Sequence, residues 1–219
     1  MKIARFALAA CLLIALCGQV MAANIADMYD DYSSENGYNY WYYSSVQYDA
    51  FVWSGGQWRN SLGNDTITRD YYGHRLKMTA SRQNGVIMSW HYTDLPKMTA
   101  PAWLVATVTP YGTWDDGVVA HFNVNQWDWN GYTCVTLASQ DKSILATDGP
   151  LTFIMPLNLS TGDAIDFKFW NPGTSGSCSA YCSAYITDVA PPGVPEPSCV
   201  MALGSMLGGL AIWRRRRAS

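Results

Sequence analysis

Between Asp49 and Val189 the chain alternates short runs of β-branched and aromatic residues with turn residues such as Asn84-Gly85 and Asn130-Gly131. In the segment 165–169 every second residue is apolar, which is the period of a strand with one solvated face. Between the two termini, no apolar segment of useful length has the period of a helix. The pattern predicts about nine strands, at residues 49–53, 75–81, 86–92, 103–110, 117–124, 132–138, 151–157, 164–170 and 183–189.

An all-β fold follows from this pattern, because many short strands separated by regular turns are typical of an antiparallel β-sandwich or jelly roll. Fifteen of the 17 acidic residues are Asp, which suits turns, whereas helix surfaces are usually rich in Glu. About 170 of the 219 residues remain once two unusual terminal segments are set aside, and this length fits one domain. We expect a β-sandwich domain at 24–190, flanked by an N-terminal signal helix and a C-terminal hydrophobic helix.

The N-terminal segment has the three regions of a secretory signal peptide. Lys2 and Arg5 precede an uncharged run at 6–16, and small residues including Ala22 and Ala23 follow that run. The run is shorter than the about 20 residues that a membrane span needs, so a permanent anchor helix does not fit. We expect residues 1–23 to be a signal peptide removed after Ala22 or Ala23, and the domain that follows to be exported.

The C-terminal segment combines a short motif, an apolar run and a basic end. A Pro-rich linker at 191–198 contains Pro195-Glu196-Pro197, and fifteen uncharged residues follow at 199–213. As a helix this run is about 22 Å long, a marginal span for a hydrocarbon core of about 30 Å. Clustered arginines stay on the cytoplasmic side of a membrane. We therefore expect a transmembrane helix at 199–213 and a cytoplasmic, Arg-rich tail at 214–219.

This order of elements resembles the PEP-CTERM sorting signal over roughly the last 26 residues. In that family an integral-membrane exosortase is thought to recognise and remove the tail, in bacteria that make exopolysaccharide. The resemblance implies an exosortase-type protease as a partner, transient anchoring in the inner membrane, and a destination in the Gram-negative cell envelope or the extracellular matrix of a biofilm. An ordinary C-terminal anchor is the alternative, but it leaves the Pro-Glu-Pro motif unexplained. The sorting motif comprises Val194, Pro195, Glu196, Pro197, Arg214, Arg215, Arg216 and Arg217.

Two fragments of the exported domain resemble the ends of β-sandwich domains that often accompany such tails. They are Asp31-Tyr32-Ser33 with the aromatic run at 40–43, and the segment 157–167 with its Gly162-Asp163 turn. Those domains are often supposed to bind carbohydrate. The resemblance therefore implies a carbohydrate-binding-like β-sandwich with extracellular polysaccharide as its partner.

Nine of the ten tryptophans lie in the exported domain. Sugars stack their C–H faces on aromatic rings while their hydroxyl groups bond to Asp, Asn and Gln, so a glycan site requires exposed Trp beside such residues. This mixture occurs in two predicted loops, 111–116 and 126–130, which lie at opposite ends of the strand predicted at 117–124 and are therefore not expected to form one site. The candidate glycan-binding residues are Trp114, Asp116, Trp127, Asp128, Trp129 and Asn130. Core burial is the alternative for their tryptophans, and it is the expectation for Trp53, Trp90 and Trp103 within predicted strands.

The exported domain keeps Cys134, Cys178 and Cys182, so one cysteine is left unpaired or pairs with another molecule. Two cysteines four residues apart in a straight strand are about 13 Å apart, so Cys178 and Cys182 can form a disulfide only across a turn. The Gly- and Ser-rich stretch at 173–177 favours such a turn, and this pair is the candidate disulfide. A metal held by the three thiols is the rival interpretation.

No metal site is expected from the remaining ligand-type residues. His74, His91 and His121 are widely spaced, and single histidines in strands are usually structural. Asp163 is expected to cap the turn that precedes its strand. Calcium held by acidic loops is the alternative, and no other cofactor is expected.

The charge balance excludes a nucleic-acid partner. Six of the 14 Lys and Arg residues lie in the terminal segments, which leaves 8 basic against 17 acidic residues and a net charge of −9. Phosphate backbones are bound by Lys and Arg, so this surface repels them. Glu35 is the only Glu in the domain, and no nucleophile elbow or phosphate loop is present. The leading hypothesis is an exported, non-enzymatic envelope or matrix protein that binds extracellular polysaccharide or other surface components. A self-associating structural protein and a small secreted glycan hydrolase are the alternatives.

Overall fold

The computed structural model describes residues 24–46, 50–92, 102–115, 118–129 and 134–192. The expected signal peptide, Pro-Glu-Pro motif, transmembrane helix and Arg-rich tail lie outside these residues. Within the described ranges, no helix is long and apolar enough to cross a membrane. The described residues form thirteen strands: β1 (Asn24–Asp27), β2 (Trp41–Ser45), β3 (Val52–Ser54), β4 (Gln57–Arg59), β5 (Thr66–Asp70), β6 (Arg75–Ser81), β7 (Asn84–His91), β8 (Ala102–Pro110), β9 (Ala120–Trp129), β10 (Cys134–Ile144), β11 (Leu151–Leu157), β12 (Asp163–Asn171) and β13 (Ser177–Thr187).

These strands make two antiparallel sheets that pack against each other. The eight-stranded sheet has the order β11-β8-β13-β6-β5-β4-β3, with β1 paired to β13, and the five-stranded sheet has the order β10-β9-β12-β7-β2. Rings from the two sheets meet in the core. Phe122 of β9 lies 5.2 Å from Phe153 of β11, and Tyr43 of β2 stacks at 4.7 Å on Trp58 of β4. The predicted antiparallel β-sandwich is confirmed.

Alternate residues of the long strands are buried in one core. In β8 the buried residues include Leu104 and Val108, and the residues that alternate with the buried ones, such as Val105 and Thr107, lie half-buried on the opposite side of the strand. Burying a side chain the size of Leu104 contributes about 1.5–3 kcal/mol. The same two-residue period in β12 sends Phe167 and Phe169 inward. Every second residue of the five-stranded sheet is thereby directed away from the core.

A buried carboxylate fixes the connection between the two sheets. Asp65 accepts hydrogen bonds at Oδ1 from the backbone N and the Oγ of Ser81, at 2.6 and 2.7 Å. Its Oδ2 accepts from Nδ2 of Asn60 and of Asn84, both at 2.5 Å. Ser81 ends β6 of the larger sheet and Asn84 begins β7 of the smaller one. Because four donors replace water around the charge, Asp65 is tolerated at full burial and holds this turn in place.

Each of the nine predicted strands overlaps an observed strand, and β6 and β11 have the predicted ends. The largest change that matters for function is in β9, which continues to Trp129, so the prediction of a loop at 126–130 is wrong for residues 126–129. The pattern also misses β1, β2, β4 and β5. β4 has only three residues, too few to show a period, and β2 begins Trp41-Tyr42-Tyr43, where aromatic residues occupy both sides of the strand.

The candidate disulfide between Cys178 and Cys182 is wrong. Both cysteines lie within β13, both side chains are buried in the core, and both are free. The Gly- and Ser-rich turn does occur, but it precedes Cys178 instead of separating the two cysteines. Four residues of extended strand hold the two Cα atoms about 13 Å apart, beyond the roughly 7 Å that a disulfide allows. Burial raises the pKa of Cys178 to about 12 and also raises the pKa of Cys182.

Candidate functional site

The outer side of the five-stranded sheet carries aromatic and polar side chains in register. Its central strands are β9 and β12, where Asn125 pairs with Asp166 and Asn123 pairs with Lys168. These side chains are half-buried, and the residues that alternate with them along each strand are buried. We call this surface the outer face, and it comprises Tyr42, Ser44, Ser89, His91, His121, Asn123, Asn125, Trp127, Ser139, Asp141, Asp166, Lys168 and Trp170.

Three rings lie together at one end of the outer face, and we call Tyr42, His91 and Trp127 the Trp127 cluster. The His91 ring centroid lies 4.4 Å from that of Tyr42 and 5.7 Å from that of Trp127. His91 and Trp127 come from β7 and β9, with Ala164 of β12 paired to both. Because Ala164 has a single methyl group, the rings on either side of it can meet. The strand pairing therefore assembles an aromatic platform from three separate parts of the sequence.

A carboxylate lies beside this cluster, one row further along the sheet. Asp166 Oδ1 accepts a hydrogen bond from Ser89 Oγ at 2.5 Å. Burial raises the pKa of Asp166, while hydrogen bonds from Ser89 and Trp127 and the charges of His91 and Lys168 oppose the rise. Burial also lowers the pKa of His91, partly offset by the negative charge of Asp166. At neutral pH His91 is therefore an uncharged imidazole with one donor and one acceptor nitrogen.

A second group lies at the other end of the outer face, and we call His121, Asp141, Lys168 and Trp170 the Trp170 cluster. The His121 and Trp170 rings are 5.3 Å apart, and Lys168 Nζ lies 4.8 Å from the centroid of the Trp170 ring. His121 Nδ1 lies 3.1 Å from Asp141 Oδ2. The cluster thus combines one large ring with a cation, a histidine and a carboxylate.

Gly85 sets the position of Trp170. The two residues are paired across β7 and β12. A Cβ atom on Gly85 would lie only 2.6 Å from the Trp170 Cα and closer still to the Phe169 carbonyl oxygen. Only glycine allows the two strands to approach this closely, which is a common reason for glycine inside a strand. The Trp170 cluster therefore depends on the absence of a side chain at residue 85.

Amide and hydroxyl groups fill the space between the two clusters. Asn123 and Asn125 follow each other on the outer side of β9, and Ser139 of β10 is paired with Asn125. Asn123 Nδ2 donates to Ser139 Oγ at 3.3 Å. Side-chain amides offer both donors and acceptors, which suits a ligand rich in hydroxyl groups. The outer face therefore presents rings at two ends and uncharged polar groups in the middle.

The structure brings only part of the predicted glycan-binding set onto this face. Trp127 lies on it, whereas Asp128 is half-buried and, by the alternation of β9, on the opposite side of the strand. Trp129 ends β9. Asp116 and Asn130 lie outside the described residues. The predicted loop cluster is thus replaced by a strand that contributes one of its tryptophans.

Trp114 is placed away from the outer face. Its Nε1 donates to the main-chain oxygens of Tyr111 and Ser179, at 3.3 and 3.2 Å, and its half-buried ring packs against the core near Phe169. As expected, the two tryptophan segments do not form one site. Core burial is confirmed for Trp90, which is 2% exposed, whereas Trp53 and Trp103 are half-buried.

Most of the outer face was not among the predicted site residues. His91 and His121 were expected to be structural, yet both lie against tryptophan rings on this face. A signal is present in the sequence: in 121–127 every second residue is His, Asn or Trp, and in 166–170 the outward positions are Asp, Lys and Trp. This pattern identifies a binding surface only once both segments are known to be strands with the same side exposed.

Metal ligands do not gather on the described part of the chain, where no three His, Cys, Asp or Glu side chains come together as a metal would need. Asp163 caps its turn as predicted, since its Oδ2 accepts from the Ser160 backbone N and from Gln126 Nε2, both at 2.9 Å. Calcium held by acidic loops stays the alternative to the expectation of no cofactor.

No protein-family model matches the chain, and no curated protein does either. Among solved structures, the chain is similar to the CBM22-1 xylan-binding domain of Xyn10C from Paenibacillus barcinonensis, with 13% identity, a TM-score of 0.41, and 78% of this chain and 97% of that one covered. The xylan-binding module CBM15 matches with 14% identity, a TM-score of 0.39, and coverage of 66% and 96%.

The N-terminal cellulose-binding domain of β-1,4-glucanase C from Cellulomonas fimi matches with 13% identity, a TM-score of 0.37, and coverage of 78% and 99%. Because these TM-scores lie below 0.5, the similarity says nothing about what this chain binds. Any ligand has to be inferred from the side chains of the outer face.

Proposed function

We propose that this protein is a non-enzymatic polysaccharide-binding protein and that the outer face is its binding surface. The observation that carries the proposal is the arrangement of two ring clusters with amide and hydroxyl groups between them. Aromatic rings stack on the C–H faces of sugars, and polar groups between the rings bond to the hydroxyls. Trp127, Trp170 and Tyr42 supply rings, and Asn123 and Asn125 supply amides.

The partners of the carboxylates on the described outer face favour binding over hydrolysis. Asp141 on β10 and Asp166 on β12 are separated by β9 and by one row of residues. Asp166 Oδ1 accepts a hydrogen bond from Ser89 Oγ at 2.5 Å, and Asp141 Oδ2 lies 3.1 Å from His121 Nδ1. A glycosidase instead directs two carboxyl groups at opposite sides of one scissile bond.

The purified protein should be retained by the exopolysaccharide of its source bacterium in a co-sedimentation assay. The Trp127→Ala variant should lose roughly tenfold or more in affinity, as is usual for a central aromatic anchor. Trp103→Ala is the matched control, because Trp103 is also half-buried but belongs to β8 of the other sheet. Equal retention of both variants, or no retention of the native protein, would refute the proposal. Shortening of the polymer would indicate a hydrolase.

We also propose that the protein is exported and sorted by an exosortase-type system. The support comes from the sequence: a signal peptide at 1–23, the motif Val194-Pro195-Glu196-Pro197, an apolar run and Arg214 to Arg217. Intact-mass measurement of the protein from its native envelope tests this proposal. A chain that begins near residue 24 and ends near Pro197 is expected. A mass that includes Arg217 would contradict processing and favour a lasting membrane anchor.

Self-association is a second candidate function, favoured by the edge strand β10. It is the end strand of the five-stranded sheet in the described chain, and its Val135 and Leu137 are 48% and 52% exposed. The unpaired backbone groups of an edge strand can pair with a strand of another molecule, and exposed apolar side chains such as these favour that contact. Sedimentation velocity of the native protein and of Leu137→Lys tests this candidate. A dimer that the variant abolishes would support it, and a native monomer would exclude it.

A further inference from the structure

We infer that the polysaccharide bound by the outer face is a linear, uncharged chain that lies along β9 and β12 and touches the Trp127 cluster and the Trp170 cluster at the same time. This inference rests on the proposed function and adds the direction of the bound chain, its minimum length and its charge class.

The direction follows from the positions of the two tryptophans. Trp127 is paired with Ala164, which lies six residues before Trp170 on β12. At about 3.3 Å per residue, the two Trp positions are about 20 Å apart along the strands and only one strand apart across them. Across the sheet, the rings of Tyr42, His91 and Trp127 are packed against one another at 4.4 and 5.7 Å, so a chain laid across the strands meets this one cluster only. A chain that touches both clusters must therefore follow the strands.

The groups between the rings suit the same direction. Asn125 and Asn123 follow Trp127 at intervals of two residues on β9, and His121 comes next, beside Trp170. A chain laid along this line meets one side-chain amide after another before it reaches the second ring. The repeated hydroxyl groups of a linear glycan can bond to such a series in consecutive units.

The charge class follows from the number of charges of each sign on the outer face. The face carries two carboxylates, Asp141 and Asp166, and a single lysine, Lys168, whose Nζ lies 4.8 Å from the centroid of the Trp170 ring. It therefore has no cluster of cations that would attract an anionic sugar. The acidic excess of the exported domain repels a polyuronate further. An uncharged polymer does not meet this repulsion.

If both clusters touch one polysaccharide chain, the affinity for polysaccharide fragments should depend strongly on fragment length. Once one ring is stacked, the second contact is intramolecular and costs much less entropy. Fragments longer than about 20 Å should bind much more tightly than shorter ones. Short fragments should occupy either cluster independently.

The test uses the source bacterium's exopolysaccharide, separated by anion exchange into neutral and acidic fractions, and a sized ladder prepared from the neutral fraction. We expect the protein to bind the neutral fraction with an affinity that changes little with salt and rises steeply once fragments span both clusters. Trp127→Ala and Trp170→Ala should each remove this rise. With short fragments each variant should reduce the number bound from about two to about one per chain, and the double variant should bind none. Trp103→Ala should behave as the native protein.

Several results would overturn the inference while the proposed function stands: salt-sensitive binding of the acidic fraction, affinity independent of length, or dependence on one of the two tryptophans only. Failure of every fraction to bind would refute the proposed function itself. Circular dichroism and denaturant unfolding of each variant show whether a loss of binding reflects loss of the fold.

Discussion

At the scale of single residues, Asp65 is a buried carboxylate that joins the two sheets. Asp65 collects four hydrogen bonds at the point where the chain passes from one sheet to the other. The desolvation cost of a buried carboxylate is offset only while all of its donors are present. Removal of the carboxylate leaves the donors of Asn60, Asn84 and Ser81 without an acceptor.

Asp65→Ala should therefore lower the free energy of unfolding by at least about 3 kcal/mol, because each buried unsatisfied donor costs about 1–3 kcal/mol. Urea unfolding followed by tryptophan fluorescence measures this loss. Asp30→Ala is the control, since Asp30 is exposed and substitutions of that kind usually stay within about 0.5 kcal/mol. Equal stability of the two variants would show that the Asp65 network contributes nothing.

For Asp166 the expected effect of removing the carboxylate has the opposite sign, because burial disfavours the charged form of this side chain. Burial raises its pKa in the folded protein. Between the ordinary Asp pKa of about 3.9 and this raised value, the folded state holds a proton that the unfolded state has released, so stability falls as pH rises through that window. Asp166→Asn removes this titration. The variant should gain stability over the native protein as pH rises from below 4 to 7, as measured by urea midpoints across pH. A constant difference between the two proteins would contradict the prediction.

At the scale of elements, β13 shows why a cysteine pair in a sequence does not specify a disulfide. Cys178 and Cys182 occupy positions of the same parity in one strand, and both enter the core. Neither thiol is accessible, and burial raises the pKa of both, to about 12 for Cys178. Reactivity requires an exposed thiolate, so these side chains behave as small apolar residues.

Native protein treated with iodoacetamide should therefore leave Cys178 and Cys182 unmodified, and protein unfolded in urea without any reductant should be alkylated at both. Peptide mass spectrometry reports each site separately. Alkylation of neither site until a reductant is added would show that a disulfide forms after all. Modification of both in the native state would show that β13 opens readily.

Strands with a clear two-residue period and sharp turns at both ends could be predicted from the sequence. The boundaries of β6 and β11 are examples, and the period of 165–169 identified β12. The C-terminal end of β9 could not be predicted, because the segment from Asn125 to Trp129 has the composition of a loop. The alternation of inward and outward residues nevertheless continues there. In that segment, pairing with β12 and β10 outweighs the local preference of the residues for a loop. The sequence of the segment alone does not show these pairing partners.

At the scale of the whole molecule, the candidate site exists only after the sheet has formed. Tyr42, His91 and Trp127 are widely separated in the sequence and meet because β2, β7, β12 and β9 are neighbours in that order. One sequence shows which residues suit a sugar, and it predicted Trp127 on that basis. It does not show strand order or register, and these decide which rings form a common surface.

A ligand that spans strands assembled in this way should stabilise the whole fold. Binding to the folded state alone adds about 2.7 kcal/mol when the free ligand is at 100 times its Kd. For a domain of this size, each kcal/mol corresponds to about 2–4 °C in Tm. The neutral polysaccharide fraction should therefore raise Tm by several degrees in calorimetry, and the double variant Trp127→Ala/Trp170→Ala should show no increase. Trp103→Ala should keep the increase even if its own Tm is lower, because its ring lies on β8 of the other sheet. An equal increase in all three proteins would mean that the polymer acts elsewhere on the molecule.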